Sequence, residues 1–143
     1  MECPGRLARR SGRFSTLVYP GGGVLLQTPL GARVEARLFR DGDEFHSPHL
    51  VDVEVTQGLR RLVRSGEVIA ARAAEALVDL ADLDLHRHAH LDFLTRAWQL
   101  RENVTAHDAM YVALAEALDA TVITCDAPLA KAPGHRARIE AVE

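Results

Sequence analysis

The segment from Thr105 to Asp126 restricts the fold more than any other part of this chain. Thr105 can cap a helix that runs to about Leu118, Asp119-Ala120 turns the chain, and Thr121-Val122-Ile123-Thr124 reads as a short strand of the buried type, ending at Cys125-Asp126. A central apolar pair with no polar alternation between its members asks for cover on both faces of the sheet that holds it.

Strand and helix alternate upstream as well. Phe14 to Gln27 is apolar and β-prone, interrupted by the turn Pro20-Gly21-Gly22-Gly23, and Leu30 to Arg40 has helical character through Ala32, Val34 and Leu38. Ser47-Pro48 is suited to open a helix, with a hydroxyl to cap free amides and a proline that loses nothing in the first turn. Val51, Val55, Leu59 and Leu62 follow at helical spacing until Ser65-Gly66. A further helix spans Val68 to Leu80, Asp82-Leu83-Asp84-Leu85 alternates as a short strand does, and His90 to Arg101 turns helical again through Leu91, Leu94, Trp98 and Leu100. Past Asp126, Pro128 and Pro133-Gly134 bracket a short helical turn, and Ala137 to Val142 suits a last edge strand. This order argues for an α/β fold with a parallel sheet covered on both faces.

Composition narrows the class. A chain of 143 residues fits one compact domain. Its net charge of −3, from 17 basic and 20 acidic residues, excludes a globally basic nucleic-acid binder and leaves room for a local basic patch. Lys131 is the one lysine; the arginine bias suits carboxylate and phosphate partners and also follows from a GC-rich genome. Cys3 and Cys125 stand far apart with no metal-type spacing, so a reducing, cytoplasmic location is expected. No apolar run reaches the roughly 18 residues of a membrane span, and no membrane partner is expected. Residues 1–13, Arg-rich and without apolar period, are expected to be a disordered extension ahead of a single domain over 14–143.

In open parallel sheets, functional groups collect at the carboxyl ends of strands and the amino ends of the helices that follow. Asp126 follows the strand at 121–124, and Asp108 lies in the first turn of the Thr105 helix, where the positive end of the dipole favours a carboxylate. Each also has a plain structural account: Asp108 as the acid of a capping box with Thr105, Asp126 as a turn residue before Ala127-Pro128. Glu54 falls on or beside the inward stripe of Leu50, Val51, Val55 and Leu59. A carboxylate there costs on the order of several kcal/mol to desolvate unless a metal or a cation such as Arg61 or Arg64 compensates it. Asp52 lies off that stripe and is expected to be solvated.

Other residues carry weaker signals. His86, His88 and His90 alternate and share a side if the stretch is a strand, but no further ligand completes a zinc set. His107 is either a general acid or an exposed first-turn residue. Arg101 and Asn103 suit phosphate contacts, with plain solvation as the alternative. Trp98, Met110 and Tyr111 read as packing residues. Gly21-Gly22-Gly23 lacks the Gly-Lys-Ser/Thr that a phosphate loop needs.

The run Trp98-Gln99-Leu100-Arg101-Glu102-Asn103-Val104-Thr105-Ala106-His107-Asp108-Ala109-Met110-Tyr111, followed by Val122-Ile123-Thr124-Cys125-Asp126, resembles the signature of PIN-domain ribonucleases. More narrowly, it resembles the toxin component of VapBC-type toxin–antitoxin pairs. His49-Leu50-Val51-Asp52-Val53-Glu54, ahead of a basic helix, is similar to the stretch that carries that family's second acid. The resemblance covers about residues 30–143. It implies a three-layer α/β/α PIN-like sandwich with a central parallel sheet of four or five strands, and an acid cluster that binds Mg²⁺ or Mn²⁺. It further implies cleavage of RNA phosphodiester bonds by activated water, a small cognate antitoxin as partner, and room for a homodimer. Carried over residue by residue, Glu54, Asp108 and Asp126 match the second, third and fourth acids. Asp108 and Asp126 would hold the ion, and Glu54 would orient a water or a second ion.

Family members open with a strand that ends in an aspartate, a principal metal ligand. By spacing, Tyr19 stands at that position here, and a neutral phenol is a poor ligand for Mg²⁺. Residues 14–29 therefore diverge from the family. Three explanations are open: a displaced reading frame or start over about the first 29 residues, a degenerate toxin that still folds and binds its antitoxin, or a weakened three-acid site helped by an acid from the Asp41–Glu44 loop. The alternative to a working endoribonuclease is thus a catalytically weak or inactive PIN-like module that still binds its antitoxin.

Overall fold

A computed structural model describes the backbone of Phe14–Leu17, residues Arg33 and Ala36, and residues 44–142. The described elements are β1 (Phe14–Leu17), β2 (Glu44–Pro48), α1 (Leu50–Arg64), α2 (Ala70–Asp82), β3 (Leu85–His88), a 3₁₀ turn (Leu91–Phe93), α3 (Leu94–Gln99), α4 (Ala106–Leu118), β4 (Thr121–Thr124), α5 (Ala127–Lys131) and β5 (Arg138–Ala141). Every strand pairing is parallel, and the five strands run in the order β3-β2-β1-β4-β5. The chain builds the sheet outward from β1 in one direction and then returns to build it in the other. The order therefore reverses between β1 and β4, where a crevice opens at the carboxyl edge of such a sheet.

Neighbouring residues on a strand point to opposite faces, so the burial of adjacent side chains reports cover on both. Val122 and Ile123 are both fully buried. Val122 joins a cluster built from α3, α4 and α5, with Leu100, Ala109, Val112 and Leu129 among its members, whereas Ile123 packs with Phe45, Cys125 and Val142. A separate cluster joins Val51, Val55 and Leu59 of α1 to Ala73, Ala76 and Leu80 of α2, with Leu85 of β3 against it. The fold is the expected α/β sandwich. Helix α4 buries Ala109 and every residue from Tyr111 to Ala115, the pattern of a helix enclosed by the core. It ends at Asp119, whose φ of 53° lies in the left-handed region and whose carboxylate accepts a hydrogen bond from Arg138 at 3.1 Å.

Several boundaries differ from those read in the sequence. Ser47-Pro48 does not open a helix: both residues complete β2, and α1 starts at Leu50 with His49 as a cap that makes no side-chain bond. The polar run before Phe45 hides this strand, which β1 and β3 flank on either side. Asp82-Leu83-Asp84-Leu85 is not the strand; α2 continues through Asp82 because Leu80 still faces the core, and β3 begins at Leu85. In the His90–Arg101 region the buried residues are Ala97 and Leu100, while Leu91, Leu94 and Trp98 are exposed by 77%, 48% and 68%. Trp98 is therefore not a packing residue.

Arg33 and Ala36 are helical, in keeping with the helix expected over Leu30–Arg40. The Arg-rich extension over 1–13, the turn at Gly21-Gly22-Gly23 and Tyr19 lie outside the described residues.

Gly134 is a point where the backbone demands glycine, while its near neighbour, the end of the exposed Asn103 side chain, can move aside. Its φ is 90°, and a Cβ there would collide with the Asn103 amide nitrogen. Gly134→Ala is expected to cost about 1–3 kcal/mol, read as an earlier urea midpoint with unchanged slope.

Candidate active site

Three acids approach the carboxyl edge of the sheet by separate routes. After β2 the chain turns at His49 and enters α1, whose first amide, that of Leu50, donates to the His90 ring at 3.0 Å. The stripe that buries Val51 and Val55 leaves Glu54 half-buried at its margin. Neither Arg61 nor Arg64, both exposed, is its partner; Tyr111, fully buried in α4, donates its hydroxyl to Glu54 Oε2 at 2.5 Å. Ser47, buried near the end of β2, reaches the same phenol. Burial, and then the bond and charge of Glu54, hold the Tyr111 hydroxyl far above the usual phenol range, so it remains a donor throughout the working pH range.

Asp108 stands one turn before Tyr111 on the same helix. The Thr105 hydroxyl accepts a bond from the Asp108 amide at 3.2 Å, so the capping role read from the sequence is real. The carboxyl itself is half-buried and its pKa is raised. Burial is the main cause; a Thr105 hydrogen bond opposes it, the negative charge of Asp126 adds to it, and His107 opposes it. Asp126 leaves β4 at the point where the strand order reverses, and its Oδ1 caps α5 by accepting from the Leu129 amide at 3.3 Å. Its own amide donates to Thr124 Oγ1 at 2.9 Å, which fixes the turn. Asp126 is exposed, so it too combines a capping role with an open carboxylate.

The three acids thus form a connected series: Glu54 against Tyr111, Tyr111 in the field of Asp108, and Asp108 in the field of Asp126. They do not close to mutual ligating distance. Among the described residues the group whose ligand atoms all lie within 4.8 Å of one another is Glu44, His46 and His86. An open arrangement of hard oxygen donors, one of them raised in pKa by burial and a like charge, fits a small cation that keeps part of its water shell.

The remaining residues separate clearly. Arg101 is exposed; its guanidinium lies 4.7 Å from the Trp98 ring centroid and its Nε is 3.3 Å from Glu102. Asn103 is exposed on the loop that leads to Asp108, against Gly134, and His107 is exposed beside it. Asp52 is not free in solvent, because Arg87 grips both its oxygens at 2.9 and 3.0 Å. His86 and His88 share a face of β3, as alternation suggested, whereas His90 lies beyond the strand.

The sequence reading did not foresee the polar roles of Tyr111 and Ser47. For Tyr111 a signal was present: three residues beyond Asp108 on a helix, it shares that residue's face. Tyr111→Phe removes the hydroxyl that donates to the half-buried Glu54 and that Ser47 also reaches. It is expected to cost about 1–3 kcal/mol in urea unfolding.

The chain matches the PIN domain over residues 24–134. It belongs to the PIN-domain family. This PIN-domain chain is 47% identical over 98 residues to Ribonuclease VapC1 of Mycobacterium tuberculosis, spanning 68% of the chain and 74% of that protein. It is 40% identical over 119 residues to Ribonuclease VapC12 of the same organism, spanning 83% of the chain and 91% of that protein. Its fold is similar to a chain in the crystal structure of VapBC2 from Rickettsia felis bound to a DNA fragment from their promoter, with a TM-score of 0.62 and 13% identity over 91% of this chain and 99% of that one. The PIN-domain match begins beyond Tyr19.

Proposed function

We propose that this chain is the ribonuclease toxin of a toxin–antitoxin pair, a metal-dependent endoribonuclease whose site is made by Glu54, Asp108 and Asp126. The observation that carries the reading is the half-buried carboxyl of Asp108, raised in pKa chiefly by burial and further by the charge of Asp126, which itself follows β4 at the reversal point of a PIN-domain sheet. Relatives that bear the name VapC ribonuclease support the substrate class.

Mg²⁺ or Mn²⁺, when bound, acidifies water and offsets the charge that builds on the scissile phosphate. The chain's own residues prepare the ground. Asp108 and Asp126 would hold the cation, directly or through water. Glu54 accepts from Tyr111 through Oε2, and its carboxylate would orient a water or a second ion. Arg101 and Asn103, on the loop before Asp108, meet phosphates of the RNA. A small cognate antitoxin covers the site, in the cytoplasm, and a homodimer is compatible with the exposed stripe of Leu91, Leu94 and Trp98. No helix among the described residues is long and apolar enough to cross a membrane.

One observation favours a second reading, a weak or inactive module that still binds its antitoxin: by spacing, Tyr19 stands where the first acid is expected, and it lies ahead of the PIN-domain match. The two readings part on a substitution. Tyr19→Asp is expected to tighten Mn²⁺ binding on the order of tenfold by calorimetry, the worth of about 1.4 kcal/mol, and to raise RNA cleavage with it. Unchanged binding would show that position 19 stands away from the acids.

A further inference from the structure

We propose that Glu44, His46 and His86 form a second metal site, selective for Zn²⁺ and related transition ions and separate from the acidic edge. Glu44 and His46 are two apart on β2 and share one face; the register pairs His46 with His86 on β3, which brings the second imidazole alongside. Their ligand atoms all lie within 4.8 Å of one another, with His46 Nε2 3.8 Å from Glu44 Oε2 and the two rings stacked at 4.8 Å.

Two imidazoles and a carboxylate are the donor set of a zinc ion with an open fourth position, and imidazole favours zinc over magnesium. Ligands at zinc's bond lengths stand roughly 3.3 Å apart in a tetrahedron, so the set must contract by about 1.5 Å. Glu44 and His86 are exposed and can rotate inward, while His46 is buried and fixed. His88 supplies the outer support: its Nε2 is 2.9 Å from His46 Nδ1, which orients the ring so that Nε2 points toward Glu44. Glu44 opens β2, four residues before Pro48, and lies roughly 13 Å along the strand from the edge where the acids gather. The site bridges β2 to β3, the outer strand of the described sheet, and so staples that side of the sheet.

The test is a titration of the full metal-free chain with ZnCl₂ against a chromophoric chelator, in excess Mg²⁺ so that hard oxygen sites are occupied. The expected result is one tightly bound Zn²⁺ per chain, weakened at least about tenfold in His86→Ala and in Glu44→Gln, and unchanged in Asp108→Asn. His88→Ala is expected to weaken it on the order of tenfold, as loss of an orienting partner does. Zn²⁺ is further expected to raise the melting temperature of the parent chain and not that of His86→Ala, whose exposed side chain the fold does not need. Absence of a Zn²⁺ site, binding indifferent to both His86→Ala and Glu44→Gln, or binding lost in Asp108→Asn would overturn the proposal.

Discussion

Asp108→Asn is expected to make the metal-free chain melt higher than the parent at pH 7 while removing most of its response to Mn²⁺. The carboxyl of Asp108 has a folded-state pKa raised above its ordinary value, chiefly by burial, with the charge of Asp126 adding to the rise. A group raised in this way contributes stability that is complete below the unfolded pKa and is lost as pH rises through the folded pKa. At pH 7 the ionised carboxylate is therefore a liability of the folded state, and the neutral amide relieves it. The Thr105 cap is retained, since the Asp108 backbone amide is the donor in that bond. A gain of about 1 kcal/mol corresponds to roughly 2–5 °C in a chain of this size. Metal reverses the balance. At a hundred times its dissociation constant a ligand stabilises the folded state by about 2.7 kcal/mol, or roughly 5–10 °C, and Asp108→Asn should show little of it. Differential scanning calorimetry with and without Mn²⁺ reads both effects. A variant less stable without metal, or one with the full Mn²⁺ response, would remove Asp108 from the site.

Arg96→Ala is expected to be the most destabilising surface truncation in the described chain. Arg96 Nε and Nη2 donate to Glu116 Oε2 and Oε1 at 2.7 and 2.9 Å, and Nη2 also donates to the Gly134 carbonyl at 3.1 Å. The Glu116 side chain is only 7% exposed and accepts a further bond from the Arg136 amide at 2.8 Å. One guanidinium thus ties α3 to α4 and to the loop before β5. Removing it strands a buried carboxylate, a loss of about 3 kcal/mol or more, near 10 °C in melting temperature. The effect has a pH signature. The Arg96 bonds, followed by the Arg136 amide and the charge of both arginines, hold the Glu116 carboxyl below its ordinary range against the opposing effect of burial. A depressed acid gives stability that is present above the unfolded pKa and lost as pH falls through the folded one. The gap between parent and Arg96→Ala should therefore narrow as the pH drops below the usual glutamate range, and urea melts at pH 7 and at acid pH would reveal it. A gap independent of pH would mean that packing, not charge, carries the effect.

The C-terminal half was legible because its signals are local and agree with one another. Thr105 caps where a cap was expected, Asp119 turns the chain, and Val122-Ile123 asks for two covered faces and has them. β2 was missed because a polar turn runs straight into it and Ser47-Pro48 carries the marks of a helix start. Only pairing with strands distant in sequence reveals it. The acids were legible one at a time, through their positions at helix and strand ends. Their partners were not: the Tyr111–Glu54 bond joins residues 57 apart, and the Arg87–Asp52 pair joins residues 35 apart. The cluster of Glu44, His46 and His86 depends on the register between β2 and β3, which alternation within a single stretch cannot disclose.

Whether Glu54, Asp108 and Asp126 make a metal-dependent ribonuclease is measured directly by RNA cleavage by the full chain, freed of antitoxin, over a titration of Mn²⁺ or Mg²⁺. Cleavage is expected to rise with metal, to disappear with a chelator, and to fall at least about a hundredfold in both Asp108→Asn and Asp126→Asn, the loss expected when charge stabilisation at the reacting phosphate is removed. Cleavage that persists unchanged in the chelator or in either variant would contradict that assignment.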